Sequence, residues 1–282
     1  MKTAQWYNTK KQRKPERMIS LALIEMTAYS HALEMEVDFY VILPENAEKL
    51  IGMDGKATAT CQTLYLLHGM SDDHTIWLRR TSIDRYASEK GIAVVMPAGD
   101  LSFYTDMAYG EKYWQFIAKE LPAMCRSMFP MMSAKREDTF VAGLSMGGYG
   151  ALKCGLRAYD TFSWAAGLSS ATDIVGERKN GKRHTGLWHD ILGDDPEEMA
   201  FNDLFEAAED YAKLDHAPPL HLYIWCGTED FLYQSNIRFR DHLNSLGLDL
   251  TYEECPGDHR WQYWDEKIQR VLEWLPIGKE EQ

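Results

Sequence analysis

The stretch "FVAGLSMGGYGALKCGL", residues 140–156, decides the fold, because it joins an apolar run to a helical pattern through G-x-S-x-G. The preceding DTFVA predicts a buried strand, and SMGGYGALKCGLRA predicts the helix that follows. A serine flanked by glycines at such a junction predicts a tight, strained turn that points the Ser145 hydroxyl into a cleft. The alternative interpretation is a serine that caps the helix, with glycines that allow close packing.

Strands and helices alternate along the chain on both sides of this turn. The runs TLYLLHG, IAVVMP, FSWAAGLSS, LHLYIWCG and LDLTYEECPG predict strands, and SIDRYASEKG, NIRFRDHLNSLG and WQYWDEKIQRVLEWL predict helices. This alternation predicts an α/β fold in which helices cover both faces of a mostly parallel sheet. The first two strands, ISLALIEMTAYS and EVDFYVILP, have no helix between them, which predicts an antiparallel edge.

Two segments depart from this regular alternation. The helix predicted for EKYWQFIAKELPAMCRSMF contains Pro122, which predicts a break or kink because proline has no amide hydrogen. Residues 171–214 form a long insertion whose second half predicts short helices. In this type of sheet such an insertion lies over the carboxyl ends of the strands, where ligands bind.

Composition narrows the class of protein. The 282 residues carry a net charge of −13, which argues against a nucleic-acid partner because phosphate binding needs a basic surface. No apolar run reaches the ~18 residues of a membrane span, so no membrane partner is predicted. The basic residues 1–17 predict a flexible arm ahead of one domain at 18–282, with a cleaved signal peptide as the alternative. The composition leaves homo-oligomerisation open.

The five cysteines are widely spread and show neither a disulfide framework nor metal-ligand spacing. They predict buried thiols in a reducing compartment, and hence a cytoplasmic protein. A disulfide between Cys226 and Cys255 is the alternative if their strands are adjacent.

A serine nucleophile needs a base, and in this fold class the chain order is serine, acid, histidine. His242 lies mid-helix, whereas His259 lies in the loop CPGDHRW after the last strand, so His259 is the predicted base. The preceding strand ends in CGTEDFLY, which offers Asp230 as the acid and Glu229 as the alternative. Asp258 adjoins His259, but neighbours in an extended loop usually point apart.

Two backbone amides are candidates for stabilising an oxyanion. The Met146 N–H follows the serine directly and points at the same cleft. The Met70 N–H belongs to the strand-end loop of YLLHGMSDDHTIW and is the second candidate donor. His68 precedes the serine in the chain, so we interpret it as a packing or loop-shaping residue. The alternative for HGM is a plain tight turn.

A metal site is the alternative interpretation of HTGLWHDILGDD, which gathers His184, His189, Asp190, Asp194 and Asp195. That segment has no HExxH-type pair or tight ligand spacing, so a solvated loop is the stronger prediction. The GGYG run lacks the lysine and the glycine spacing of a phosphate loop. The sequence therefore predicts no metal and no cofactor.

Five stretches together resemble the esterase D-like family, most closely its bacterial tributyrin esterase branch: YLLHGMSDDHTIWLRRT, VVMPAGDLSFYTD, AGLSMGGYGALK, CGTEDFLY and PGDHRW. The family includes S-formylglutathione hydrolases, feruloyl esterases and mycolyltransferases, and the likeness runs from about residue 23 to 275. The resemblance implies an α/β-hydrolase fold and cofactor-free hydrolysis of carboxylic esters. It places the triad on Ser145, Asp230 and His259 and the oxyanion amides on Met70 and Met146. S-formylglutathione hydrolases usually read HSMGG where this chain reads LSMGG.

The predicted function is therefore a serine carboxylesterase for small-molecule, short-acyl esters, with acetyl or feruloyl esters of plant carbohydrates as candidates. Two alternatives stay open at this point. The same residues suit an S-formylglutathione-type thioesterase or an acyltransferase, depending on whether water reaches the acyl-enzyme. A non-catalytic binding module with a relict site would keep the fold and lose the reaction.

Overall fold

The computed structural model describes residues 22–44, 60–180 and 185–278. Within them, eight strands form one sheet in the order β1-β2-β4-β3-β5-β6-β7-β8. The strands are β1 Ala22–Ser30, β2 Met35–Leu43, β3 Thr63–Leu67, β4 Ala93–Pro97, β5 Thr139–Leu144, β6 Trp164–Leu168, β7 His221–Gly227 and β8 Leu250–Cys255.

Helices connect the strands and cover the sheet. They are α1 Ile76–Arg80, α2 Ile83–Lys90, α3 Tyr113–Gln115, α4 Leu121–Met128, α5 Met146–Arg157, α6 Ile174–Asn180, α7 Thr185–Leu192, α8 Pro196–Asn202, α9 Leu204–Ala212, α10 Tyr233–Ser245 and α11 Trp261–Trp274.

The sheet is parallel from β4 to β8 and antiparallel at its first edge. β1 pairs with β2, and β2 with β4, in antiparallel register, whereas the remaining neighbours are parallel. The predicted antiparallel edge is confirmed. Along β1, half-buried and exposed residues alternate, whereas every residue of β3, β4 and β5 is buried. A central strand covered on both faces reads as a continuous apolar run for this reason.

Two apolar layers flank the sheet. On one face Tyr65 and Val141 pack in a cluster with Leu152 of α5 and residues of α9. On the other face Leu64 and Phe140 pack with α2 and α11. Helices therefore cover both faces, as the strand and helix alternation predicts.

The predicted disturbance at Pro122 takes the form of a π-helical turn. Phe116–Glu120 is π-helical and connects α3 to α4, in which Pro122 is the second residue. A proline ring clashes with the carbonyl one turn earlier, and a wider turn relieves that clash without ending the helix.

The insertion 171–214 is helical in its second half, as predicted, and also in its first half, which the sequence pattern did not indicate. It forms α6 to α9, apart from residues 181–184, which lie outside the described residues. Backbone bonds tie α7 to the loop after β4, from Ala108 N to Ile191 O and from Tyr109 N to Asp190 O. Lys153 of α5 donates to Asn202 at the end of α8. The insertion is thus fastened both to a strand-end loop and to the helix that follows β5.

The predicted arm at 1–17 lies outside the described residues. All five cysteines are free and four are buried, so the Cys226–Cys255 disulfide is not formed. Among the described helices, none has the length and apolar composition to cross a membrane.

Candidate active site

Ser145 occupies a strained turn between β5 and α5. Its φ is 53° and its ψ −115°, a region that residues with a Cβ rarely adopt. A Cβ on Gly143 would lie 2.3 Å from the Gly147 oxygen, and one on Gly147 would lie 2.4 Å from the Leu67 oxygen. Both flanking glycines are therefore required by close backbone approach. The Ser145 side chain makes no capping bond to α5, so the capping alternative is wrong.

The serine hydroxyl meets an imidazole that is itself held by a carboxylate. Ser145 Oγ lies 3.0 Å from His259 Nε2, and His259 Nδ1 lies 2.9 Å from Asp230 Oδ2. A carboxylate can only accept hydrogen bonds, so Nδ1 carries the hydrogen and Nε2 is left to accept from the serine. The three residues, separated by up to 114 positions in the chain, form one continuous hydrogen-bonded line.

Asp230 is held rigidly at the end of β7. Its side chain is fully buried, and its second oxygen accepts from the Leu232 amide at 2.9 Å. Glu229, the alternative acid, is exposed and contributes its backbone instead, donating from N to the Gly257 oxygen at 3.0 Å. That bond joins the loop that carries the acid to the loop that carries His259.

The other acid and base candidates point elsewhere. Asp258 forms an ion pair with Arg260 at 2.9 Å and so turns away from His259, as expected. His242 lies in α10 and contacts the Phe205 oxygen at 3.2 Å, in contact with α9 rather than with the serine.

Two aromatic rings contact the His259 imidazole. Trp264 of α11 meets it edge-on with ring centroids 4.8 Å apart, and its indole N–H donates to Ser169 Oγ. Phe231 meets it with centroids 4.6 Å apart. Trp264 is buried, but Phe231 is 69% exposed. Sequence reasoning missed Phe231, because an apolar residue beside Asp230 carries no mark of its exposure.

The loop after β3 runs directly against the serine. A Cβ on Gly69 would lie 3.6 Å from the Ser145 Cβ, so Met70 directly follows a residue that is in contact with the serine. Neither the Met70 nor the Met146 amide donates to an acceptor among the residues that the structure describes. Two unpaired N–H groups beside a serine hydroxyl are an anion-binding arrangement.

His68 shapes this loop through its ring. It is 1% exposed, and its Nε2 accepts from the Gly99 amide at 2.9 Å while Nδ1 lies 2.8 Å from the Gly69 oxygen. Burial lowers the pKa of His68, which favours the neutral ring that accepts at Nε2. The Tyr104 hydroxyl donates to the His68 oxygen. His68 therefore links the loops after β3 and β4, as its loop-shaping interpretation predicts.

Asp72 adds a carboxylate to the same loop. Its Oδ2 lies 3.3 Å from the position that a Gly69 Cβ would take. Burial raises its pKa to about 6, with the charge of Asp73 acting in the same direction. At neutral pH the group is ionised and places a negative charge near the serine.

Two further places could bind a ligand by shape or composition. Around α7, His189 lies 3.4 Å from Asp190 and 4.0 Å from Asp194, while His184 falls outside the described residues. Within the described residues no three His, Cys, Asp or Glu side chains converge on a metal position. A cleft of about 730 Å³ lies at the amino ends of the strands, where His221 stacks on Trp164. It is at the opposite edge of the sheet from Ser145.

This fold recurs in known proteins. The Esterase family model matches residues 30–275, most of the chain. The chain belongs to the Esterase family. It is a carboxylic ester hydrolase, as predicted, and membership in a family of enzymes argues against a non-catalytic module.

The acetyl esterase of Caldicellulosiruptor saccharolyticus, a curated relative of this esterase, is 31% identical over 90% of this chain and 98% of the relative. A fluorophosphonate-binding serine hydrolase of Staphylococcus aureus is 34% identical, with a TM-score of 0.81 over 92% of this chain and 100% of the other. The S-formylglutathione hydrolase of Staphylococcus aureus is 35% identical, with a TM-score of 0.76 over 90% and 98%. These structures confirm the predicted α/β-hydrolase fold.

Proposed function

We propose that this esterase hydrolyses short-acyl carboxylic esters through a Ser145–His259–Asp230 triad and an acyl-enzyme. The observation that carries the proposal is the continuous line of hydrogen bonds, at 3.0 and 2.9 Å, that ends on a serine at a strained turn. We further propose that residues 18–282 form one catalytic domain. We also place the protein in the cytoplasm, because its five cysteines are unpaired, as is usual in a reducing compartment.

Each residue has a defined role in the proposed reaction. Ser145 attacks the ester carbonyl while His259 Nε2 takes its proton. The developing oxyanion is stabilised by the Met70 and Met146 amides. His259 then returns the proton to the departing alcohol, which leaves an acyl-enzyme. A water molecule attacks this acyl-enzyme while His259 takes its proton, and the acid and the free serine are released. Asp230 holds the imidazole in the required tautomer and stabilises its charged form.

Acetyl esters are the favoured substrate class, because a curated relative that matches this chain over 98% of its own length is named an acetyl esterase. Acetyl or feruloyl esters of plant carbohydrates are the specific candidates. Thioester hydrolysis is the second candidate, favoured by the 35% identity to an S-formylglutathione hydrolase. Against this candidate, the residues around Ser145 read LSMGG, whereas S-formylglutathione hydrolases usually read HSMGG.

The test compares p-nitrophenyl acetate, butyrate and octanoate, methyl ferulate and S-formylglutathione, each with the wild type and Ser145→Ala. We expect the acetate to be turned over fastest and Ser145→Ala to lose on the order of 10⁴–10⁶ in kcat. Asp230→Asn should lose about 10⁴ because the imidazole tautomer is no longer enforced. Glu229→Gln, its neighbour, should stay within a factor of about three. Near-normal turnover by Ser145→Ala would refute the proposal, and a large loss in Glu229→Gln would reassign the acid.

A further inference from the structure

An aromatic ring stands open to solvent beside the proposed base. Phe231 has the greatest exposure of the large apolar side chains in the described residues, at 69%. It lies in the turn between β7 and α10, directly after Asp230, with its ring 4.6 Å from the His259 ring. A single exposed apolar side chain is common on a protein surface, so the informative feature of Phe231 is its contact with the imidazole rather than its exposure.

The reaction geometry decides which part of an ester lies near this ring. In the proposed reaction the carbonyl oxygen points to the amides of Met70, in the loop after β3, and of Met146, at the start of α5. The leaving oxygen must face His259 Nε2, because that atom returns the proton. The alcohol portion of the ester therefore departs past His259, on the side where Phe231 is found.

The turn around Phe231 does not depend on the phenyl ring for its shape. The Asp230 amide donates to the Gly227 oxygen, and Asp230 Oδ1 accepts from the Leu232 amide. The His259 ring is also supported from another side by the buried Trp264. Loss of the phenyl ring should thus leave the acid, the base and the turn in place.

We propose that Phe231 contacts the alcohol portion of the substrate and selects esters whose alcohol carries a flat, apolar ring face. A phenyl ring has such a face, and so does the C–H side of a pyranose. This inference rests on the proposed function, because it assumes that His259 protonates the leaving group. It adds what that function leaves open, which is the preference for the alcohol.

The test varies the alcohol and the acyl group separately in the wild type and Phe231→Ala. With acetate fixed, phenyl acetate, an acetylated methyl xyloside and ethyl acetate are compared. We expect kcat/KM to fall about 3- to 10-fold for the two ring alcohols, the usual weight of one aromatic contact, and to stay within about twofold for ethyl acetate. A fall for only one of the two rings identifies the aryl or the sugar alcohol as the preferred partner.

A second series fixes p-nitrophenol as the alcohol and lengthens the acyl chain from acetate to octanoate. The ratio of kcat/KM in the wild type to kcat/KM in Phe231→Ala should be the same for every acyl chain, because the alcohol is unchanged. Phe231→Trp should restore the ring preference. Tyr29→Ala removes a comparably exposed ring from β1, at the far edge of the sheet, and should change none of these ratios.

Three results would overturn the inference. A ratio that changes with the acyl chain would place Phe231 in the acyl pocket. An equal loss on every ester, with a shifted pH profile of kcat/KM, would make Phe231 a support for His259. An unchanged ratio on all esters would leave the ring without a substrate role. Fluorophosphonate labelling of Ser145 is measured in parallel, and wild-type protein that neither labels nor hydrolyses any ester would refute the proposed function itself.

Discussion

Ser145 lies within hydrogen-bond distance of His259 and has strained backbone dihedral angles. A residue with a Cβ at φ 53° and ψ −115° costs about 1–3 kcal/mol, and the surrounding close packing holds it there. The strain is local to one residue, since Gly143 and Gly147 relieve the contacts on either side. The hydroxyl is thereby held at a fixed place opposite His259.

Replacing Ser145 with glycine should therefore relieve the backbone strain while abolishing activity. We expect Ser145→Gly to have a free energy of unfolding about 1 kcal/mol above that of Ser145→Ala, because glycine adopts this φ without a steric penalty. Both variants lack the hydroxyl, so their comparison isolates the backbone. Urea unfolding followed by tryptophan fluorescence measures the difference, and a glycine variant less stable than the alanine variant would show that the turn is not strained.

At this scale the sequence predicted the hydrogen-bonded residues and missed the exposed one. Ser145, Asp230 and His259 each follow a recognisable strand, and strand ends of a parallel sheet converge at one edge. Phe231 could not be found in the same way, because whether an apolar side chain is covered depends on packing from distant segments. The carboxylate of Asp72 was missed for the same reason.

At the scale of elements, one carboxylate joins the antiparallel edge to the helical layer. Glu120, at the end of the π-helical turn, accepts from Ser30 Oγ and Ala32 N through one oxygen and from His31 N through the other. Burial alone would raise the pKa of Glu120, but these bonds lower it below its ordinary value. The connection between β1 and β2 is held against the sheet through this group.

Replacing Glu120 with glutamine should loosen that connection. We expect Glu120→Gln to lower the free energy of unfolding by about 1–2 kcal/mol at pH 7, because an amide nitrogen replaces one accepting oxygen. The folded pKa lies below the unfolded one, so this stabilisation is complete above about pH 4.5 and is lost as the pH falls through the folded pKa. Urea unfolding at pH 7 and pH 4 should show the difference shrinking. Glu111→Gln, an exposed control, should change little, and a pH-independent difference would contradict the expectation.

The positions of most strands could be predicted from the sequence, whereas the order in which the strands pair could not. The strands from β3 to β7 are short apolar runs, which patterns of neighbouring residues reveal. That β2 lies beside β4 rather than β3 depends on how distant segments cross the sheet, which no local pattern records. The short α1 and the helical first half of the insertion were missed because few residues define them.

At the scale of the whole molecule, the chain is acidic, and the loop that contacts the serine carries a carboxylate. The net charge is −13, and Asp72 adds an ionised group beside the serine at neutral pH. Repulsion of this kind slows the approach of anionic substrates and is screened by salt within a Debye length of about 10 Å at 0.1 M.

Salt should therefore separate anionic from neutral substrates. We expect kcat/KM for S-formylglutathione, which carries a net negative charge, to rise about two- to fivefold between 10 and 300 mM NaCl. The value for p-nitrophenyl acetate, which is neutral, should stay within a factor of about 1.5. Asp72→Asn should reduce the salt response of the thioester. An equal response of both substrates would show that screening acts on the enzyme rather than on the encounter.

Because most of its cysteines are buried, this protein should react slowly with thiol reagents. Four of the five thiols are buried, and burial raises the pKa of Cys61 to about 11 and those of Cys125 and Cys154 to about 12. A thiol with so high a pKa is a poor nucleophile at neutral pH. A disulfide dye can therefore count the thiol released from a thioester substrate with little signal from the enzyme. Once Cys255, the half-buried fifth thiol, is changed to serine, a fluorophore attached through one cysteine introduced on the surface would report mainly from that site.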